Sequence, residues 1–154
     1  MSHCFVCDRI EMIKNDQNPC FVKELETGYV VLGDYQRFYG YTLFLCKQHA
    51  TELHFLENDF KLKFMEEMSL VAQAVYNAFK PEKLNYELIG MGNGGAHMHW
   101  HIFPRRNGDL PDNMIGPVWR ADPKDRVSDK YRITPQQIED MKTLLNKELD
   151  LLIK

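Results

Sequence analysis

Apolar positions recur along the chain with two different periods. Between residues 60 and 79 they return every three or four residues, at Phe60, Phe64, Met68, Val71, Val75 and Phe79. That spacing predicts one long helix with a single buried face. Asn58 or Asp59 is placed to cap its start, and Pro81 to stop it. A second stripe, Ile138, Met141, Leu144, Leu145, Leu149 and Leu152, predicts a helix over 135–153. Thr134 reads as its N-cap, Pro135 as its first residue and Gln137 as a capping-box partner. Shorter runs predict strands: 29–32, closed by Gly33 and Asp34; 41–46; "LNYELIGMG"; and the stretch after the Gly92–Gly95 turn. Strands, helix, strands, loop, helix is the order of an α+β domain with an antiparallel sheet. The segment 107–131 is rich in Gly, Pro and Asp and reads as a long loop, a length that often carries function.

In "HMHWHIF" the period is two. An extended chain turns alternate side chains to opposite faces, so His97, His99 and His101 share one face while Met98, Trp100 and Ile102 point to a core. Three readings fit that face: a polar sheet surface, a metal site, and phosphoryl or nucleotidyl chemistry. Imidazole pairs one residue apart are common metal ligands. Neutral imidazole is also a nucleophile towards phosphorus, and a second imidazole can hold the phosphate oxygens as charge develops on them. Arg105, just after the strand-ending Pro104, is either a bidentate phosphate ligand or a solvent-facing charge. Trp119 is a contact for a base, for a partner subunit or for the core.

Composition narrows the partners. The chain has 154 residues, a net charge of -3 and 44% hydrophobic residues. That balance fits one hydrophobic core and argues against a nucleic-acid polymer as ligand. No apolar run reaches 18 residues, so no membrane span is expected. "MSHCFVCDRI" does not read as a signal peptide. Four cysteines without a secretory signal point to a reducing, cytoplasmic setting, where cysteines serve metal or core roles. Cys4-Phe5-Val6-Cys7 is half a metal site or a pair of small buried hydrophobes. A redox role is disfavoured, because no recognisable helix follows it.

"HMHWHIF" resembles the signature of the histidine triad (HIT) superfamily, and "HMHWHIFPRR" is similar to bacterial members that hydrolyse dinucleoside polyphosphates. The likeness extends over the "CFVC" start, the "GYTLFLCKQH" strand and the central helix. It implies a single domain over 1–154 with an antiparallel sheet of about five strands and two main helices. It also implies a homodimer that binds a nucleotide and cuts at the α-phosphate. His99 would form a covalent nucleotidyl-histidine, His101 would hold the α-phosphate, and His97 would orient its neighbours or bind metal. Asp34 matches the acidic residue that meets the ribose hydroxyls. Cys4, Cys7, His49 and His97 match a structural zinc site, with His54 as a substitute for His49. The chain departs from the pattern at Tyr41, where many members carry a histidine, and at Gly94, where many carry a hydroxyl. Asn93 is a substitute donor to the nucleotide, or an ordinary turn residue, and Asn85 is structural or ribose-adjacent. These departures leave a second reading open, a nucleotide-binding protein with little turnover.

Overall fold

The computed structural model describes residues 3–91 and 95–153. Five strands form one antiparallel sheet: β1 (Phe21–Glu24), β2 (Gly28–Leu32), β3 (Thr42–Cys46), β4 (Lys83–Glu87) and β5 (His99–Arg105). Their spatial order is β1-β2-β3-β5-β4. Among the described residues four α-helices accompany them: α1 (Phe5–Lys14), α2 (Asn58–Phe79), the single turn α3 (Pro123–Arg126) and α4 (Pro135–Leu152).

The sheet is covered on both faces, and the sequence pattern explains how. Val30, Leu32, Phe44, Cys46, Trp100 and Ile102 pack with Phe64, Val71 and Val75 of α2 and Met141, Leu145 and Leu149 of α4. The alternate residues Tyr29, Val31 and Leu45 face the other way and bury Val6, Ile10 and Ile13 of α1. All five β2 positions are therefore buried, which is why Tyr29-Val30-Val31-Leu32 reads as an unbroken apolar run rather than an alternation.

α1 and β1 are additions to the elements read from the sequence. α1 has ten residues, and its buried positions are Val6, Ile10 and Ile13, a stripe too short to stand out. Two boundaries are corrected. Asn58 and Asp59 are not caps: Glu57 is the N-cap, without a side-chain bond, and Asn58 and Asp59 are the first helical residues. The strand in "LNYELIGMG" ends at Glu87. At α4 the capping box is present, with Thr134 Oγ1 accepting from Gln137 N–H and Gln137 Oε1 accepting from Thr134 N–H.

One buried carboxylate ties the helical layer to the sheet. Glu67 of α2 is 3% exposed. It accepts the backbone N–H of Glu26 at 3.0 Å and of Thr27 at 2.9 Å, and the Thr27 hydroxyl as well. The turn between β1 and β2 thus satisfies its donors on a helix side chain.

Candidate functional site

The register of β5 sets the site. His99 pairs with Leu45 and His101 with Leu43 of β3, while Trp100 pairs with Phe44 and Ile102 with Thr42. His99 and His101 therefore share the α1 face of the sheet, and Trp100 and Ile102 share the core face. His97 lies just before the strand, and its side chain goes elsewhere. A cavity of about 270 Å³ opens on the α1 face, lined by His99 and His101 but not by His97. Asp34, Tyr41, Arg9 and Phe5 also line it.

His99 has one ring nitrogen committed and one free. Its Nδ1 is 2.7 Å from the His97 carbonyl. A carbonyl only accepts, so Nδ1 carries the proton and Nε2 holds the lone pair. Burial lowers the pKa of His99, against the opposing pull of that carbonyl, so the ring is neutral. The His99 and His101 ring centroids are 4.7 Å apart.

His101 is governed by Tyr41. The Tyr41 hydroxyl sits 2.6 Å from His101 Nδ1. Burial pushes the Tyr41 pKa well above its usual range, so the phenol keeps its proton and donates it. Burial, and then neighbouring His99, push His101 down to about 3. A neutral His101 that accepts at Nδ1 carries its own proton on Nε2. Tyr41 also stacks on Phe103, with centroids 4.1 Å apart and planes 9° apart. Gly33 makes room for that ring: a Cβ there would lie 2.2 Å from Tyr41 Cδ1.

Asp34 ends the β2 turn at the far side of the cavity. Arg9 of α1 grips its carboxylate through both terminal nitrogens, Nη1 at 3.3 Å from Oδ1 and Nη2 against Oδ2. The same guanidinium lies 4.8 Å over the Phe5 ring. Arg9 was missed in the sequence because it belongs to the unread helix.

Behind β5, His97 joins a second constellation. Its Nε2 donates to the Cys46 carbonyl at 2.8 Å, which leaves Nδ1 as an acceptor 3.4 Å from Cys7 Sγ and 3.6 Å from Cys4 Sγ. His49 Nδ1 is 3.1 Å from Cys7 Sγ. The four ligand atoms lie within 4.8 Å of one another. Tetrahedral zinc with bonds of about 2.0–2.3 Å would place such atoms roughly 3.3–3.8 Å apart, a spacing close to the cysteine–histidine contacts of 3.1 to 3.6 Å. The cysteine pair does open a helix, contrary to the reading above: Cys4 is the N-cap of α1 and accepts from Cys7 N–H. Two imidazoles beside the sulfurs nonetheless make it a ligand set. His54 is exposed in the turn Leu53–Phe55 and stays outside it.

One expectation is corrected. Arg105 does not reach the cavity. Its donors are taken by Asp109 at 2.7 and 2.8 Å, by Asn85 Oδ1 at 2.6 Å and by the Gly116 carbonyl at 2.7 Å. It folds the strand exit instead of meeting a phosphate. Asn85 is its acceptor on β4, which is the structural of its two readings. Asn93 and Gly94 lie outside the described residues. Trp119 lines the cavity, half exposed, with its Nε1–H on Glu87 at 2.6 Å and its ring edge-on to His101.

The description "HIT domain" matches residues 16–108, which include the triad, Asp34 and Tyr41. The chain belongs to the HIT family. A relative at 31% identity over 104 residues is an uncharacterised HIT-like protein of Mycobacterium tuberculosis (strain CDC 1551), with 62% of this chain and 69% of that one covered. The fold matches solved HIT structures. A histidine triad protein from Bradyrhizobium japonicum superposes with a TM-score of 0.70 at 20% identity, over 88% of this chain and 94% of that one. A hypothetical histidine triad nucleotide-binding protein from Sulfolobus tokodaii gives 0.66 at 23% identity, over 97% and 93%. A zinc-bound histidine triad family protein from Mycobacterium smegmatis gives 0.63 at 20% identity, over 97% and 94%. The HIT segment leaves out α1, with Cys4, Cys7 and Arg9, and everything after Gly108.

Proposed function

We propose that this HIT protein is a nucleotide hydrolase or nucleotidyl transferase acting at the α-phosphate, with dinucleoside polyphosphates as the substrate class. The observation that carries the reading is the bond from His99 Nδ1 to the His97 carbonyl, which leaves a neutral Nε2 in the cavity. In the first step His99 Nε2 bonds to the α-phosphorus and the bond to the leaving oxygen breaks, that oxygen keeping the electron pair. Water then attacks phosphorus, the P–N bond breaks and the nucleoside monophosphate departs. His101 donates from Nε2 to the phosphate oxygens. Asp34 accepts the ribose hydroxyls, since a carboxylate held by Arg9 keeps lone pairs for them. Asn93 remains a proposed donor on sequence grounds.

Zinc is the proposed resident ion at Cys4, Cys7, His49 and His97. It would supply a cross-link between α1 and the start of β5, with no part in the reaction. His97 then orients the triad from behind while its carbonyl fixes His99. The support is the geometric fit of the four ligands and the zinc-bound relative of similar fold. The nucleotide has similar support, in the name of the Sulfolobus tokodaii protein.

The chain is further proposed to act as one domain over 1–154 and as a homodimer. Tyr76 and Tyr86 are about half exposed, and Tyr86 lies on edge strand β4. A cytoplasmic location is proposed from its four free cysteines. Among the described residues, no helix is long and apolar enough to cross a membrane.

The test is hydrolysis of diadenosine tetraphosphate by wild type and by His99→Ala. Wild type should release nucleotides, and the variant should lose about a thousandfold or more. Equal rates would remove His99 as nucleophile. Nucleotide affinity without turnover by wild type would favour the second reading, a binding protein.

A further inference from the structure

The chain after Gly108 lies outside the HIT match, yet it returns to the cavity. Val118 and Ala121 bury against Phe38, Phe103 and Leu110. Asp125 accepts from Arg37 Nε at 2.8 Å and from Lys130 Nζ at 2.8 Å. Gln36 N–H donates to the Tyr131 carbonyl at 2.9 Å. α3 is therefore pinned on both sides, by an apolar underside before it and by ion pairs and a backbone bond around and after it. The pinning sets Trp119 and Arg126 on the cavity wall with His99 and His101. Arg126 lies over the Trp119 ring at 4.6 Å, and that ring stands edge-on to His101 at 5.8 Å. The Arg126 charge also bears on the Tyr41 hydroxyl, the group bonded to His101.

Three guanidinium groups line the cavity, and two are committed. Arg9 holds Asp34 and Arg37 holds Asp125. Arg126 is different. Among the described residues its side chain forms no ion pair and donates only from Nε, to the Ala121 carbonyl at 3.3 Å, so its two terminal nitrogens have no acceptor. Glu87, the acid on that side, spends its carboxylate on the Trp119 indole and does not pair with Arg126. A partly buried guanidinium whose two terminal nitrogens have no acceptor is matched by an anion with several oxygens, which its planar fork can take two at a time.

We propose that Arg126 receives the phosphate chain departing from the α-phosphorus, so that the site selects nucleotides whose leaving group is anionic over those whose leaving group is a neutral amine. This rests on the nucleotidyl-transfer reading above and narrows its substrate class. As the bond from His99 Nε2 to phosphorus forms, the bridging P–O bond breaks and its electron pair stays on the departing oxygen. The Arg126 donors meet that charge, and the group leaves as a phosphate anion. A departing amine carries no such charge and must gain a proton, which arginine does not give up.

The full-length protein provides two readouts. In calorimetric titrations, wild type should bind α,β-methylene-ATP about tenfold or more tightly than AMP. Arg126→Gln should bind the two alike, and Arg126→Lys should fall between. In turnover, Arg126→Gln should lose about tenfold or more in kcat/KM on diadenosine tetraphosphate and less than about threefold on adenosine 5′-phosphoramidate. Equal losses on both substrates, no loss on either, or an unchanged preference for the triphosphate in Arg126→Gln would overturn the assignment. If wild type binds and turns over no nucleotide at all, the nucleotide reading falls with it. If turnover survives with unchanged selectivity, only Arg126 falls.

Discussion

The Tyr41 hydroxyl and His101 Nδ1 lie 2.6 Å apart, with the two rings parallel to within 6°. The resemblance to the histidine triad pattern leads one to expect a histidine at this position. In this chain the substitution supplies an O–H donor that fixes which nitrogen of His101 faces outward. Tyr41→Phe keeps the stack on Phe103 and removes only that donor. Turnover is expected to fall about 10- to 100-fold, with a stability loss of about 1–2 kcal/mol. Steady-state kinetics on diadenosine tetraphosphate check the first number and urea unfolding the second; unchanged kinetics would mean that Tyr41 is only a packing residue.

Glu67 serves the fold and not the cavity. Glu67→Ala strands the Glu26 and Thr27 donors in a buried turn, and a loss of about 2–4 kcal/mol is expected. Chemical denaturation reads it directly, and nucleotide affinity should stay within about twofold. A loss under about 0.5 kcal/mol would show that the turn finds water instead.

Much of this was legible beforehand, for identifiable reasons. The β5 alternation placed His99 and His101 on one face, as period two requires within a strand; it also put His97 there, wrongly, because His97 precedes the strand and turns to Cys4 and Cys7. The two long helices were legible from their stripes. Three things were not. α1 was too short to announce itself, and Arg9 was hidden with it. Arg105 looked like a phosphate ligand because sequence shows a charge at a strand exit but not Asp109, Asn85 and Gly116 waiting around it. The third is the segment after Gly108, where Gly, Pro and Asp predicted loop but could not tell that Trp119 and Arg126 come back to the triad.

Asp109 makes a pH-dependent contribution of known sign. Burial alone would raise its carboxyl, but the Arg105 fork and the Arg106 N–H outweigh that and hold it below its ordinary 3.8. A folded pKa below the unfolded one gives stability that is complete above about pH 4 and disappears as the pH falls through the folded value. Asp109→Asn should therefore be less stable than wild type at pH 7, by about 1–3 kcal/mol, and the gap should close as the pH falls through the depressed folded value. Thermal unfolding of both proteins across that range decides it; a gap that persists in acid would mean that shape rather than charge holds the strand exit.

The four-ligand cluster predicts a metal dependence. Cys4→Ser should abolish zinc in the purified protein and lower the melting temperature by about 5 °C or more, since α1 loses its tether. His99→Ala should keep its zinc. Elemental analysis with thermal unfolding tests both, and one equivalent of zinc retained by Cys4→Ser would contradict the assignment.

The central claim is that His99 Nε2 becomes bonded to phosphorus. The most direct measurement is rapid quenching of the protein with diadenosine tetraphosphate, followed by intact-mass and peptide mass spectrometry. The account predicts an added adenylyl group, labile in acid, on the peptide carrying His99 and absent from His99→Ala. Turnover at full rate with no adduct at any quench time, or an adduct that survives in His99→Ala, would contradict it.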